Sequence, residues 1–337
     1  MTTAIRILRT AAGLLVLAVL IYFGRLDLRV LGHALEHPAL LSLAAGLLLL
    51  AVPLATLRWW LLIAALEFPM TFSWTLRTTF TSQFFNVFLP GSFGGDMVRV
   101  MLAYRAARHG LSRLTFTIVV DRLSGLTALI LLGLCIVPAL PPRFHEPVYL
   151  LPWAAGSAAL LTGVAGAILL GERIASLLQR LPAPMGARLA HGVREVLAAL
   201  RAYADRWLTL VWALIISLLQ FALVLMCLMV LGTAMSFNEL STSGYVVAGV
   251  WSIIANSLPL TPGGLGVGEA IFAQIAAALE TVTTGAGYAN VFLATRILTI
   301  LISVLGLLPY LAQRGELFGA KLAAETIPPA PELQNRK

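Results

Sequence analysis

Residues 38–66 form an apolar run broken by a single charge, Arg58. The hydrocarbon core of a bilayer, about 30 Å thick, takes roughly 20 residues of α-helix to cross. Inside it every backbone N–H and C=O must be paired within the segment, so a run this long and this apolar is a membrane helix. Composition carries the same message: 11% of the 337 residues are charged, whereas soluble domains carry about 25%. Mean hydropathy is +0.91. Further apolar runs lie at about 10–23, 114–138, 148–170, 207–232 and 288–312. The expected fold is all-α, a polytopic helical membrane bundle over 1–312, followed by a polar, proline-containing tail over 313–337.

Two shorter runs end in the same unusual way. Residues 84–99 read FFNVFLPGSFGGDMVR and residues 254–269 read IANSLPLTPGGLGVGE. In each, apolar residues stop at an asparagine, Asn86 or Asn256, and meet proline, Pro90 or Pro259 and Pro262. Each then crosses glycines (Gly91, Gly94 and Gly95; Gly263, Gly264, Gly266 and Gly268) and ends on an acid, Asp96 or Glu269. Proline stops a helix and glycine permits tight turns and close approach. Paired interruptions, one in each half of a polytopic chain, point to a transporter-type site built from discontinuous helices.

Basic residues set the orientation. The net charge of +8 is concentrated in 1–9, 96–113, 171–206 and 313–337, which the positive-inside rule places in the cytoplasm. The charge is thereby explained without nucleic acid. Residues 74–95 then enter and leave from the cytoplasmic side and 244–280 from the outer side, giving two re-entrant hairpins in an inverted-repeat arrangement. Non-helical backbone at membrane depth must be buried in protein or line a wet cavity, so a cavity between the hairpins is expected. If both were full spans, the arginine-rich 171–206 would lie outside. Arg6 and Arg9 ahead of the first run read as the start of an uncleaved span. In 171–206, Ile174, Leu177, Leu178 and Leu181, then Val193, Val196, Leu197 and Leu200, recur at helical spacing around Pro182 and Pro184. They suggest two short amphipathic helices on the membrane surface, a solvated connector being the alternative.

Several charges fall inside spans, where ionisable residues are costly and point to function. Asp121 and Arg122 lie in 114–138 and Arg296 in 288–312. Neighbours on a helix do not face each other, so Asp121 and Arg122 need separate partners, Arg99 among the candidates. Arg122 and Arg296 would suit a lipid phosphate, which guanidinium meets bidentately. Ion pairs among Asp121, Glu269, Arg122 and Arg296 are the structural alternative. Asp96 and Glu269 read equally as first-turn acids favoured by the helix dipole or as cavity-lining groups. Arg58, near the end of its run, is expected to snorkel to the interface. Cys135 and Cys227 have no metal-type spacing. The pattern His33-Ala-Leu-Glu36-His37 has no third ligand to complete a zinc site. No Walker A motif is present, so direct drive by ATP is not expected; no metal or other cofactor is expected either.

At these stretches the sequence resembles the transmembrane domain of bacterial lysylphosphatidylglycerol synthases. More broadly it is similar to the flippase-like membrane family that also occurs as stand-alone proteins beside lipid, hopanoid and polyprenyl-glycan pathways. The matching residues are Asn86, Leu89-Pro90-Gly91, Gly94-Gly95-Asp96, Arg99, Asp121-Arg122 and Gly125-Leu126. In the second half they are Pro259, Pro262-Gly263-Gly264, Gly266, Gly268 and Glu269. The resemblance covers about 10–312. Aminoacyl-transferring members carry a large soluble domain after the membrane part; with the sequence ending at Lys337, the translocating half alone is expected.

The resemblance implies a multi-pass protein of the bacterial cytoplasmic (inner) membrane, with both termini cytoplasmic. It implies a flippase, not an enzyme, moving an anionic phospholipid or lipid-linked headgroup between leaflets. Its expected pathway comprises Asn86, Pro90, Gly91, Gly94, Gly95, Asp96, Arg99, Asp121 and Arg122 in the first half, and Asn256, Pro259, Thr261, Pro262, Gly263, Gly264, Gly266, Glu269 and Arg296 in the second. Expected partners are membrane lipids, anionic or polyprenyl-linked, with a second copy or a lipid-pathway enzyme left open. Two other classes stand beside this one: a lipid-modifying transferase using Asp96, Asp121 or Glu269 as base, and a scaffold recruiting an enzyme through 171–206.

Overall fold

In the computed structural model, the described residues are 28–88, 94–142, 185–237, 239–257, 266–279 and 287–311, with a few positions between 151 and 177. The expected span at 10–23, most of 148–170 and the tail 313–337 lie outside them. Among the described residues the regular structure is helical throughout, with no strand. In chain order the helices are α1 (Leu28–Leu35), α2 (Pro38–Ala65), α3 (Phe72–Phe88), α4 (Gly94–Ala107) and α5 (Leu111–Ile136). There follow α6 (Met185–Asp205), α7 (Trp207–Ala234), α8 (Thr242–Ser257), α9 (Val267–Leu279) and α10 (Ala289–Val304).

Local chemistry explains where the helices start and stop. α2 opens on Pro38, whose missing N–H would have had no helical partner there anyway. α5 follows Gly110, held at φ 73°, a conformation that suits glycine. It runs into a 3₁₀ turn, Val137–Ala139, and Pro138 in that turn keeps the α-helix from continuing.

Length divides the helices into two kinds. The segments Pro38–Ala65, Leu111–Ala139, Trp207–Ala234 and Ala289–Leu311 are long and apolar enough to cross a membrane. Only 33% of the most apolar window of Trp207–Ala234 is buried; Trp207, Leu208, Val211, Trp212, Ile215 and Leu219 are exposed. In a bilayer such a surface faces lipid rather than water. The other kind is short. At 1.5 Å per residue, α3 and α8 reach about 25 Å and α4 and α9 about 20 Å, each less than the hydrocarbon core. They pack in sequential pairs, α3 on α4 and α8 on α9.

α2 and α7 pack extensively together and form the spine. α5 lies against α2, α4, α7 and α8, while α10 lies against α2, α3, α7 and α9. Two apolar cores result. One, around Trp59, Leu62, Ile63, Leu114 and Tyr203, surrounds the first short pair. The other, around Leu228, Leu231, Tyr245, Phe272 and Val291, surrounds the second. The first pair touches the last helix segment through the edge-to-face rings of Phe85 and Tyr310, 5.1 Å apart.

α6 differs from expectation at its N-terminal end. The helix begins at Met185, ahead of the stripe that starts at Val193, and runs unbroken to Asp205. Residues 171–184 are largely outside the described set, so the expected first surface helix is too. α6 packs on α5 and α7. Its Tyr203 is buried and donates to the Leu62 carbonyl at 2.9 Å. Burial pushes the Tyr203 phenol pKa up, so it stays a donor at ordinary pH. Arg194 and Arg201 remain exposed.

The fold tolerates side chains unevenly. A Cβ on Gly95 would lie 2.2 Å from the Ser82 carbonyl oxygen, whereas one on Gly46 in α2 meets nothing within 4 Å. Gly95→Ala is expected to destabilise the protein by about 1–3 kcal/mol through forced separation of α3 and α4. Gly46→Ala should be neutral or stabilising by up to ~1 kcal/mol through helix propensity. Unfolding titrations of both variants in mixed micelles would measure the contrast.

Candidate functional site

Each short pair carries an acid in the first turn of its second helix, and each acid holds an arginine from the next long helix. In the first half, Asp96 lies in the first turn of α4 and accepts from Arg122 Nε of α5 at 2.6 Å. In the second, Glu269 lies in the first turn of α9 and accepts from Arg296 Nε of α10 at 2.7 Å. Acid and arginine are 26 residues apart in the first case and 27 in the second.

The asparagines close each site from the other side of the break. Asn86, near the end of α3, accepts from the Gly95 N–H at 2.8 Å through Oδ1. It thereby caps an N–H of α4 that has no partner within its own helix. Gly95 is required because its Cα approaches Ser82 and Asn86 too closely for any side chain. Asn256, near the end of α8, accepts from Arg296 Nη2 at 2.8 Å. In the second half the acid itself caps: Glu269 Oε2 accepts from the Gly266 N–H at 2.9 Å, while its other oxygen keeps Arg296. Glu269 is fully buried. The structural first-turn role expected of this acid is thus present, together with its pairing to Arg296.

The first half contains a second carboxylate. Asp121 of α5 accepts from Arg58 Nε of α2 at 2.7 Å and from Arg99 Nη1 of α4 at 3.2 Å. Arg58 also donates to Ser217 Oγ of α7 at 2.9 Å. The Arg99 guanidinium lies 4.1 Å from the centre of the Trp59 ring, a favourable cation–π distance. Trp59 Nε1 in turn donates to Thr117 Oγ1 at 3.1 Å. Asp121 and Arg122 have separate partners, Arg99 being one of those of Asp121.

Arg58 corrects the sequence reading. It does not snorkel to the interface: it is 6% exposed and tied to Asp121. It lies seven residues before the end of α2, about 10 Å into the helix. The signal that singled out Arg296, a cation well inside a span, applied to it equally. Trp59 and Ser217 were also missed; nothing in their local sequence distinguishes them from ordinary core residues.

Of the expected site residues, Asn86, Gly95, Asp96, Arg99, Asp121 and Arg122 join the first cluster, with Gly94 opening α4. Asn256, Gly266, Glu269 and Arg296 join the second. Pro90, Gly91, Pro259, Thr261, Pro262, Gly263 and Gly264 lie outside the described residues. Chemically, both clusters present guanidinium held on carboxylate. Arg122 is the more accessible arginine, its side chain 36% exposed against 14% for Arg296.

A family model described as lysylphosphatidylglycerol synthase TM region matches residues 7–306 of the chain. No curated protein and no solved structure matches it.

The buried and exposed ion pairs should behave differently. Arg58→Met leaves Asp121 short of a partner in a dry site and is expected to cost about 3–5 kcal/mol. Glu67, 74% exposed in its side chain and paired with Arg206 at 2.6 Å, should lose under about 1 kcal/mol as Glu67→Gln. Equilibrium unfolding in mixed micelles would separate the two.

Proposed function

The chain belongs to the lysylphosphatidylglycerol synthase TM region family, and from that premise we propose that it is a lipid transporter. It moves an anionic phospholipid or a lipid-linked headgroup between the leaflets of the membrane. The observation that carries this reading is the recurrence of one arrangement at two helix breaks: asparagine before the break, acid after it, arginine from the following long helix. Short helices that end at membrane depth leave polar backbone ends there, and those ends suit a headgroup in transit.

In this reading the pairs α3–α4 and α8–α9 are re-entrant hairpins entering from opposite faces, as the distribution of arginines implies. The pathway runs between them. Arg122 and Arg296 serve the lipid phosphate by exchanging a carboxylate partner for a phosphate one, since guanidinium binds both in the same bidentate manner. A headgroup crossing the low-dielectric core is then never without a counter-charge, which is the energetic problem a flippase has to solve. The protein sits in the cytoplasmic membrane with its basic segments inside.

The transferase alternative needs a carboxylate available as a base. Asp96, Asp121 and Glu269 each hold at least one guanidinium, so each is already engaged by a hydrogen-bonded cation. That favours the transporter.

The test is a reconstitution. Liposomes containing the purified chain and headgroup-labelled phosphatidylglycerol are treated with an impermeant quencher. Translocation is expected to carry quenching beyond the outer half of the label. Arg296→Ala, correctly folded, should slow it by about tenfold or more, the scale of one lost charge-assisted contact. Quenching that stops at the outer half, with phospholipids and polyprenyl phosphates alike and with or without an ion gradient, would refute the proposal.

A further inference from the structure

The two clusters differ in charge. In the second, one guanidinium, Arg296, faces one carboxylate, Glu269. In the first, the described residues bring three guanidiniums, Arg58, Arg99 and Arg122, onto two carboxylates, Asp96 and Asp121. Among the described residues the first cluster therefore carries one positive charge in excess. Arg58, Arg99, Asp96 and Asp121 are all less than 9% exposed, and a buried charge without a counter-charge is expensive.

The excess has a location. Arg99 reaches Asp121 through Nη1 alone, and Asp96 stays 3.9 Å from that same nitrogen. Its Nε and Nη2 are buried and have no hydrogen-bond partner among the described residues. These two nitrogens lie on one edge of the guanidinium, the edge whose parallel N–H groups match two oxygens of a carboxylate or phosphate. Arg296 gives that edge to Glu269, with Nε 2.7 Å from Oε1 and Nη2 3.4 Å from Oε2. In Arg99 the same fork is empty. The Trp59 ring attracts the cation, but a quadrupole neutralises no charge and accepts nothing along that edge.

We propose that the first cluster is a phosphate subsite for a singly charged phosphodiester, with Arg99 supplying the fork and Arg122 the reachable arm. One negative charge balances the cluster, and two phosphate oxygens fill the fork. Because the fork is buried, filling it requires the Asp96–Arg122 pair at the exposed edge of the cluster to rearrange. The second cluster, already neutral, holds no phosphate at rest. That the phosphate is a lipid's rests on the transport reading above; the charge imbalance does not.

The test is native mass spectrometry of the full chain purified in detergent, titrated with dihexanoylphosphatidylglycerol and, separately, with inorganic phosphate. Wild type is expected to retain one lipid. Arg99→Gln should weaken binding about tenfold, with partial recovery in Arg99→Lys, which restores the charge but not the fork. Asp96→Asn should tighten binding by about threefold, because it removes the anion that competes for Arg122. This opposite sign is one that a merely structural role would not produce, and it stands if Arg99→Gln fails to fold. Arg206→Gln, the same charge loss outside the site, should leave binding unchanged.

A folded Arg99→Gln that binds like wild type would overturn the proposal. So would weakening by Asp96→Asn, or a loss from Arg296→Gln as large as that from Arg99→Gln. Binding of inorganic phosphate but not of the lipid would support the subsite and overturn its lipid source. Lipid binding that follows this pattern without translocation in liposomes would support the subsite and refute the transporter.

Discussion

The guanidinium–carboxylate pair governs this structure. A lone arginine at the centre of a bilayer costs about 3 kcal/mol or more, and an unpaired buried carboxylate is also costly. Asp96, Asp121 and Glu269 are each met by an arginine from a different helix. Those contacts fix which helices are neighbours. Arg58–Asp121 joins α2 to α5, Arg99–Asp121 joins α4 to α5, and Arg296–Glu269 joins α10 to α9. Apolar packing against lipid discriminates poorly between neighbours, since lipid tails are as apolar as leucine. Buried charges discriminate strongly, because a wrong pairing strands them.

Stability alone does not account for such pairs. Replacing a buried ion pair with apolar residues of similar volume is often neutral or favourable, while removing one partner is costly. Glu269, with no exposed surface, satisfies a backbone N–H of its own helix turn and an arginine 27 residues on. One side chain thus holds the start of α9 and the position of α10. The first half divides that work: Asn86 caps α4 across the break and Asp96 takes the arginine. The same geometric problem, ending one short helix and beginning another beside a charged partner, is solved by two different assignments of the same residue types.

Helix length is the second constraint. Thirteen to seventeen residues cannot cross a hydrocarbon core alone, and α3, α4, α8 and α9 fall in that range. Each packs against its partner and against the surrounding long helices. The approach is close. A Cβ on Gly95 would meet the Ser82 carbonyl, and one on Gly306 would lie 2.0 Å from that of Phe80. Side chains at those positions would push the first short pair away from its neighbours.

Much of this was written in the sequence. Spans are dictated by the length of apolar runs, because backbone polar groups have no other partner in lipid, and α2, α5, α7 and α10 fall close to the runs that predicted them. The ends of α3 and α8 were legible because they fall beside proline- and glycine-rich stretches, and proline and glycine act locally. Asp96, Arg122, Glu269 and Arg296 stood out because charge is rare in such segments. What the sequence by itself could not decide was pairing. Asp121 and Arg122 are adjacent yet face different partners, and Arg58 pairs across 63 residues with a carboxylate that no local pattern assigns to it. The charge imbalance of the first cluster belongs to the same category. The sequence supplies the ions, but which of them share a dry site depends on helix rotation and neighbour choice, and those are set only when the bundle packs.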